Sequence, residues 1–118
     1  MILVVEDDAE VREVICEILV EQGYGVVCAE NGALALERVR GARPDLILLD
    51  LRMPVMGGAE FLGRLRGLDE GSAVPVVIMS ASPNPAAEVG ALSFQACLKK
   101  PFGMSELLVL VDRLVEKR

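Results

Sequence analysis

The 118-residue sequence contains no histidine. This absence excludes Ser-His-Asp and Cys-His nucleophilic sites, zinc sites with histidine ligands, and an autophosphorylating histidine within this chain. Long apolar runs are also absent, since none approaches the roughly 18 residues that a membrane-spanning helix needs. The first apolar run follows Met1 directly, so we expect no signal peptide and a cytoplasmic protein without membrane contact.

Cysteine is scarce and shows no ligand spacing. Cys16, Cys28 and Cys97 are odd in number and form no C-x-x-C pair. All three fall in apolar segments, which predicts buried thiols in a reducing cytosol rather than catalytic or metal-binding residues.

Basic residues are outnumbered by acidic ones. The 12 Lys and Arg against 18 Asp and Glu give a net charge of −6. This balance argues against nucleic acid as a direct partner. A basic or otherwise polar protein surface is the expected target.

Apolar residues are abundant, at 53% of the chain. They form five short runs that lack the alternation of half-exposed strands, and amphipathic stretches separate these runs. The pattern predicts one domain over residues 1–118, with an α/β doubly wound (βα)5 sandwich, a five-stranded parallel sheet and right-handed crossovers. The predicted strands are Ile2–Val5, Gly25–Ala29, Asp45–Leu49, Val74–Met79 and Ala96–Lys99.

Capping residues and apolar residues at helical spacing mark the helices. Asp8 is the predicted N-cap of the first helix, and Asn31 caps a second helix that runs through Arg40. Gly103 is a weak cap for the last helix. The fourth helix, about Ala86–Leu92, has few apolar anchors, so we expect it to be the shortest and most mobile.

Two of the apolar runs end abruptly in acid. Glu6, Asp7 and Asp8 follow the first strand, and Asp50 follows the third. The carboxyl ends of parallel strands meet at the edge of the sheet where open α/β proteins bind ligands. Carboxylates that converge there repel one another unless a pKa rises or a divalent cation binds. The sequence therefore predicts a metal site at these acids, with Asp8 serving as a helix cap.

Four stretches lie at the ends of predicted strands: residues 2–8 (ILVVEDD), 50–58 (DLRMPVMGG), 77–81 (VIMSA) and 100–102 (KPF). Together and in this order, they resemble the receiver domain of bacterial two-component response regulators. The resemblance covers the whole chain. It implies a flavodoxin-like sheet with the strand order 2-1-3-4-5.

The resemblance implies that Asp50 is the phosphoryl acceptor, whose carboxylate attacks a phosphohistidine on a sensor histidine kinase or a histidine phosphotransfer protein. It implies Mg²⁺ as the cofactor, with Mn²⁺ as the alternative. Asp7, Asp50 and the backbone carbonyl of Arg52 would bind the ion directly, and Glu6 would hold it through a water molecule.

Two further strand ends supply groups for the phosphoryl oxygens. By resemblance, Lys100 contributes a positive charge and the Ser80 hydroxyl donates a hydrogen bond. Periodicity does not separate Lys99 from Lys100, because we expect both faces of the last strand to be buried. The resemblance assigns the positive charge to Lys100 because this lysine directly precedes Pro101, as in the family motif. Lys99 is then a solvated neighbour.

The chain departs from the family at Cys97, three residues before the motif lysine. Relatives usually carry an aromatic residue there, which moves inward when the Ser/Thr hydroxyl turns towards phosphate. A thiol is too small for this movement. A switch built on Ser80 and Cys97 therefore differs from the usual one, unless Phe94 fills the space.

The loop after Asp50 carries an arginine and two glycines. Arg52 would shield an acyl phosphate or engage an incoming group, or else it is a solvated loop arginine. The Gly57-Gly58 pair is most simply explained by loop geometry, with Gly58 at positive φ.

The leading hypothesis is a signalling switch, which is not an enzyme beyond its own phosphorylation and slow dephosphorylation. Its change in charge would rearrange a face that binds an output protein or domain. One alternative is a phosphorylation-independent interaction module on the same fold, favoured by Cys97 and the short fourth helix. A remote alternative is an aspartate-nucleophile phosphatase, but that class needs a second acid where this chain has Arg52.

Overall fold

The computed structural model describes residues 1–69 and 71–115, and its five strands form one parallel sheet in the order β2-β1-β3-β4-β5. Each strand is followed by a helix, so the predicted doubly wound α/β fold and its strand order are confirmed. The elements in chain order are β1 (Ile2–Val5), α1 (Ala9–Glu21), β2 (Val26–Ala29), α2 (Gly32–Gly41), β3 (Leu46–Asp50), α3 (Gly58–Arg66), β4 (Val76–Ser80), α4 (Pro85–Val89), β5 (Ala96–Lys99) and α5 (Met104–Leu114).

Two apolar layers cover the sheet, one on each face. Successive residues of a strand point to opposite faces, so each central strand contributes to both layers. Leu3 and Ile47 pack with residues of α2, α3 and α4, whereas Val4 and Leu48 pack with residues of α1 and α5. Every residue of β1, β3 and β4 is buried, which confirms the expectation of strands covered on both faces for the centre of the sheet.

The two edge strands differ from the three central ones. In β5 only Leu98 is buried, and β2 is half-buried along most of its length. The expectation that both faces of the last strand are buried is therefore wrong, because a strand at the end of the sheet has a neighbour on one side only. Lys99 is exposed, as expected of a solvated neighbour.

Helix caps occur where the sequence predicts them. Asp8 Oδ1 accepts hydrogen bonds from two amides in the first turn of α1, at 3.0 and 3.2 Å. Asn31 Oδ1 accepts one from the amide of Leu34 at 2.9 Å. Before α5, the amide of Gly103 donates to Glu106 Oε1 at 3.2 Å. These contacts fix where the helices begin and so hold the loops that lead to them.

Among the described helices, α4 is the shortest, as predicted, but it ends earlier than expected. It spans Pro85–Val89, Asn84 is its N-cap, and Gly90 follows it with a φ of 64°. A residue in the left-handed region cannot continue a right-handed helix, so the predicted extension to Leu92 is wrong. Within residues 1–69 and 71–115, no helix combines the length and the apolar character that crossing a membrane requires.

The prediction of three buried free thiols is wrong. Cys16 of α1 and Cys28 of β2 are half-buried and joined by a disulfide bond, and Cys97 is exposed. α1 packs across β2, which brings the first two side chains together at the margin of one apolar layer. Cys97 lies on β5, an outer strand of the sheet in which only Leu98 is buried.

Candidate functional site

The predicted acids come together at the carboxyl edge of the sheet. β1 and β3 pair with Val5 opposite Leu49, so the residues that follow, Glu6 and Asp50, are neighbours. Carboxylate oxygens of Glu6, Asp7 and Asp50 all lie within 4.8 Å of one another. Glu6 and Asp50 are buried, whereas Asp7 is exposed. These three residues are called the acid cluster below.

Backbone and side-chain contacts hold Glu6 in its buried position. Its Oε2 accepts a hydrogen bond from the amide of Asp8 at 3.3 Å, and its backbone carbonyl accepts one from Arg12 Nη1 at 2.7 Å. The sequence pattern did not indicate a role for Arg12. Its place in the first turns of α1 is the signal that could have revealed it, because a helical side chain leans back towards the N-terminus and over the preceding loop.

Lys100 enters the acid cluster from the end of β5. Its Nζ donates to Glu6 Oε1 at 2.7 Å and lies 3.7 Å from Asp50 Oδ2. Burial opposes the charge on Lys100, but the hydrogen bond to Glu6 and the charges of the neighbouring acids together raise the pKa of its ammonium group. Lys100 is therefore a stable positive charge that faces the cluster.

Asp50 has a strongly shifted acidity. Burial raises the pKa of Asp50 to about 7, and the hydrogen bond and negative charge of Glu6 act in the same direction. Lys100 and the amide of Arg52, which donates to Asp50 Oδ1 at 3.3 Å, oppose this rise in pKa. Near neutral pH, the carboxyl group of Asp50 therefore exists in comparable amounts of its neutral and ionised forms. A cation bound here favours the ionised form.

Ser80 is the last residue of β4 and is buried at the same edge of the sheet. Its hydroxyl oxygen accepts a hydrogen bond from the amide of Ser82 at 3.0 Å. Its backbone carbonyl accepts one from the amide of Lys100 at 2.8 Å, which ties together the two strand ends that carry these residues. Neither contact uses the hydroxyl proton of Ser80, which leaves that proton available to a ligand.

Arg52 is exposed but paired. Its side chain is 77% exposed, and its Nη2 lies 3.7 Å from Glu88 Oε1 of α4. The sequence pattern did not indicate Glu88 as a partner of Arg52. An acid in the first turn of a helix is common because it favours the helix dipole, so the residue type alone gave no reason to connect Glu88 with the loop after Asp50.

The first residue of α3 has to be glycine, but not for the predicted reason. Gly58 does not have a positive φ. A Cβ at Gly58 would lie 2.5 Å from the backbone oxygen of Asp50 and 2.6 Å from the Cα of Leu51, so the close approach of two backbone segments explains the residue. Positive φ occurs instead at Val55, which has a φ of 68°.

The two candidates for the aromatic switch position lie in different surroundings. Cys97 is opposite Ile78 in the pairing of β4 with β5, and its side chain is exposed. Phe94 is partly buried and packs against the apolar layer of α2, α3 and α4. Of the two side chains, Phe94 is therefore the one in contact with the core.

The site combines three carboxylates, an ammonium group and a hydroxyl at one edge of the sheet. Clustered carboxylate oxygens are ligands that Mg²⁺ prefers in proteins. Ammonium and hydroxyl donors suit the oxygens of a phosphoryl group. The arrangement can therefore bind a hard divalent cation and stabilise charge on a phosphoryl group beside it.

Comparisons by sequence and by structure lead to one family. The family model for the response regulator receiver domain matches residues 2–112. Response regulator MprA of Mycobacterium tuberculosis is 36% identical over 118 residues, which are 98% of this chain and 50% of that protein. The chemotaxis response regulator CheY4 of Vibrio cholerae has a TM-score of 0.89 and 32% identity, with 97% of both chains covered.

The receiver domain of the sensor histidine kinase PA1611 of Pseudomonas aeruginosa has a TM-score of 0.88 and 30% identity, with 96% of this chain and 94% of that chain covered. Its structure contains a magnesium ion coordinated in the active site cleft. The chain spans half or less of the length of the first curated relatives that it matches. Because the family match extends from β1 into α5, the chain belongs to the response regulator receiver domain family.

Proposed function

We propose that this chain is a phospho-acceptor switch of a two-component system, in which Asp50 receives the phosphoryl group. The observation that carries the proposal is the position of buried Asp50 within the acid cluster, 3.7 Å from Lys100. Buried charges that are close together cost stability, and a strongly shifted pKa in a cleft is typical of functional residues. Membership of a family of signalling modules supports the same function.

In the proposed reaction, a carboxylate oxygen of Asp50 attacks the phosphorus of a phosphohistidine. The O–P bond forms as the N–P bond breaks, and the leaving imidazole takes a proton from solvent. This sequence contains no histidine, so the donor lies outside it. A sensor histidine kinase or a histidine phosphotransfer protein would supply it.

Mg²⁺ is the proposed cofactor, and the residues present fit it because the carboxylate oxygens of the acid cluster lie within 4.8 Å of one another. Asp7, Asp50 and the backbone carbonyl of Arg52 would hold the ion, with Glu6 acting through a water molecule. When bound, the ion neutralises charge on the phosphoryl oxygens. We expect Mn²⁺, which accepts the same oxygen ligands, to replace it.

Lys100 and Ser80 would stabilise the transferred group. Lys100 Nζ would exchange its hydrogen bond to Glu6 for one to a phosphoryl oxygen. The hydroxyl proton of Ser80, which its contact with Ser82 does not use, would be donated to another phosphoryl oxygen. Both residues would act by position and charge, as phosphoryl transfer requires.

The output would be a change in protein binding. The added negative charge would alter the face of the domain that contacts an output protein or domain. The segment of MprA that matches this chain is half of that protein. The output partner of this chain would be either a further part of its own protein or a separate protein.

Incubation with acetyl phosphate and Mg²⁺, followed by intact mass measurement, tests the proposal. The wild type should gain one phosphoryl group, and Asp50→Asn should gain none. Asp8→Asn is the matched control, because it removes a neighbouring acid, keeps a capping side chain and should leave phosphorylation unchanged. Repeating the reaction with Mn²⁺ tests the alternative ion. Absence of phosphoryl gain in the wild type under saturating donor and metal would contradict the proposal.

The exposed Cys97 and the five-residue α4 favour a second candidate, an interaction module that works without phosphorylation. For such a module, a partner would bind equally well to the wild type treated with acetyl phosphate and to Asp50→Asn. The switch predicts that their affinities for the partner differ.

A further inference from the structure

Arg52 contacts both Asp50 and the helix α4. Its amide donates to Asp50 Oδ1 at 3.3 Å. Its guanidinium Nη2 lies 3.7 Å from Glu88 Oε1, on the helix α4. One residue therefore contacts the acceptor through its backbone and α4 through its side chain.

The helix at the other end of this ion pair is weakly held. α4 has five residues, and Val89 is the one buried among them. Its cap is a long contact, in which the amide of Ala87 donates to Asn84 Oδ1 at 3.4 Å. A helix of this length has little stability of its own, so a small change in its tertiary contacts changes how often it opens.

We propose that Arg52 couples the charge at Asp50 to the stability of α4. In the unmodified protein Arg52 pairs with Glu88, and after phosphoryl transfer its guanidinium leaves Glu88 for the phosphoryl oxygens, which releases α4. This inference rests on the proposed phosphorylation of Asp50. It assigns to Arg52 a positioning role that does not depend on an aromatic residue at Cys97.

The relative strength of the two anions favours this exchange. A carboxylate carries one negative charge, whereas a phosphoryl group carries about two and offers oxygens that a guanidinium binds with two parallel hydrogen bonds. Arg52 is 77% exposed, and an exposed ion pair at 3.7 Å contributes little to stability. A stronger anion at the residue two positions earlier in the chain therefore competes effectively with Glu88.

Hydrogen exchange of residues 83–92, measured by mass spectrometry with and without acetyl phosphate and Mg²⁺, tests the coupling. In the wild type, phosphorylation should accelerate exchange in this segment by about two- to fivefold, the range that an exposed ion pair supports. In Glu88→Gln, residues 83–92 should exchange faster than in the unphosphorylated wild type even before phosphorylation. Phosphorylation should not accelerate their exchange further. Arg52→Gln should give the same acceleration, and combining the two substitutions should add nothing.

The control removes a comparable ion pair that does not reach α4. Arg64 Nη2 lies 2.9 Å from Glu60 Oε2 on the exposed side of α3. Glu60→Gln should therefore leave both the basal exchange of residues 83–92 and its response to phosphorylation unchanged.

A charge-reversed pair separates the coupling from a general loosening of α4. Combining Arg52→Glu with Glu88→Arg restores an ion pair, but the acid at position 52 is repelled by the phosphoryl group. Exchange at 83–92 should then match the unmodified wild type before phosphorylation and should not increase after it.

The intact mass of the same samples distinguishes a failure of the coupling from a failure of the acceptor function. If the wild type gains the phosphoryl group but its exchange at 83–92 does not change, the coupling is overturned and the acceptor function stands. If the charge-reversed variant responds as the wild type does, the coupling is also overturned. If no phosphoryl group is gained, the acceptor function and the coupling fall together.

Discussion

The acid cluster and the segment around α4 and β5 are built in opposite ways. The cluster lies at the ends of β1 and β3, in which every residue is buried, and Glu6 is fixed by contacts to its side chain and its backbone. In β5 only Leu98 is buried, and in α4 only Val89. The molecule thus combines a rigid site with a loosely held neighbour.

This difference matches two physical requirements of the proposed switch. Phosphoryl transfer depends on fixed positions for charge and nucleophile, which strands buried on both faces provide. A conformational response needs a segment of low stability, because only such a segment changes its population when a single contact is lost.

Truncating a phenylalanine of the buried layer that packs on β1 and β3 and one next to β5 should give the largest difference in stability. Phe61 is fully buried in α3, whereas Phe94 is only partly buried before β5. We expect Phe61→Ala to lower the free energy of unfolding by about 3–5 kcal/mol and Phe94→Ala by about 1 kcal/mol, because the loss scales with buried area and cavity. Urea denaturation measures both, and equal losses would contradict the contrast between the regions.

Two glycines of α3 should respond to alanine with opposite signs. At Gly58 the new Cβ would lie 2.5 Å from the backbone oxygen of Asp50, so Gly58→Ala should cost about 1–3 kcal/mol of stability and disturb the position of Asp50. At Gly63 the nearest atom is Leu92 Cδ1 at 3.7 Å, an ordinary contact, so Gly63→Ala should stabilise by up to about 1 kcal/mol. Thermal unfolding and the rate of phosphorylation by acetyl phosphate distinguish them, and a neutral Gly58→Ala would show that the loop can move.

The acid cluster should also make stability depend on pH. Burial raises the pKa of Asp50 from 3.8 to about 7, so this residue contributes stability that is complete below about pH 3.8 and lost as the pH rises to about 7. In metal-free buffer at pH 8, Asp50→Asn should be more stable than the wild type by at least about 1 kcal/mol, because each unit of pKa shift corresponds to about 1.4 kcal/mol. The difference should vanish near pH 4.

Mg²⁺ provides the internal control for this pH effect. By binding the ionised carboxylate, it should raise the melting temperature of the wild type at pH 8 more than that of Asp50→Asn. If the difference in stability between the wild type and Asp50→Asn in metal-free buffer were the same at pH 4 and at pH 8, the shifted pKa of Asp50 would be contradicted.

Local sequence signals were sufficient to predict the strands and the places where most residues of the candidate site lie. The apolar run Ile2–Val5 and the acids after it predict a buried strand and its ligand-binding end without knowledge of tertiary structure. Asp8 and Asn31 cap helices through amides only a few residues away, so their roles are local too.

The features that the sequence did not reveal depend on distant parts of the chain. Cys16 and Cys28 meet because α1 packs across β2, and Cys97 is exposed on β5, the strand that ends the sheet. The pairing of Arg52 with Glu88 joins a loop to a helix 36 positions later, where no periodicity applies. Gly58 was predicted to lie in a loop but begins α3, and the backbone that it must approach became evident only in the folded chain.

Locating the phosphoryl group tests the central claim most directly. After reaction with acetyl phosphate and Mg²⁺, borohydride reduces an aspartyl phosphate to homoserine, and peptide mass spectrometry identifies the converted position. We predict conversion at residue 50 alone, with the unmodified side chains retained at Asp7 and Asp8. Conversion at either of those acids, or at no aspartate, would contradict the assignment of Asp50 as the acceptor.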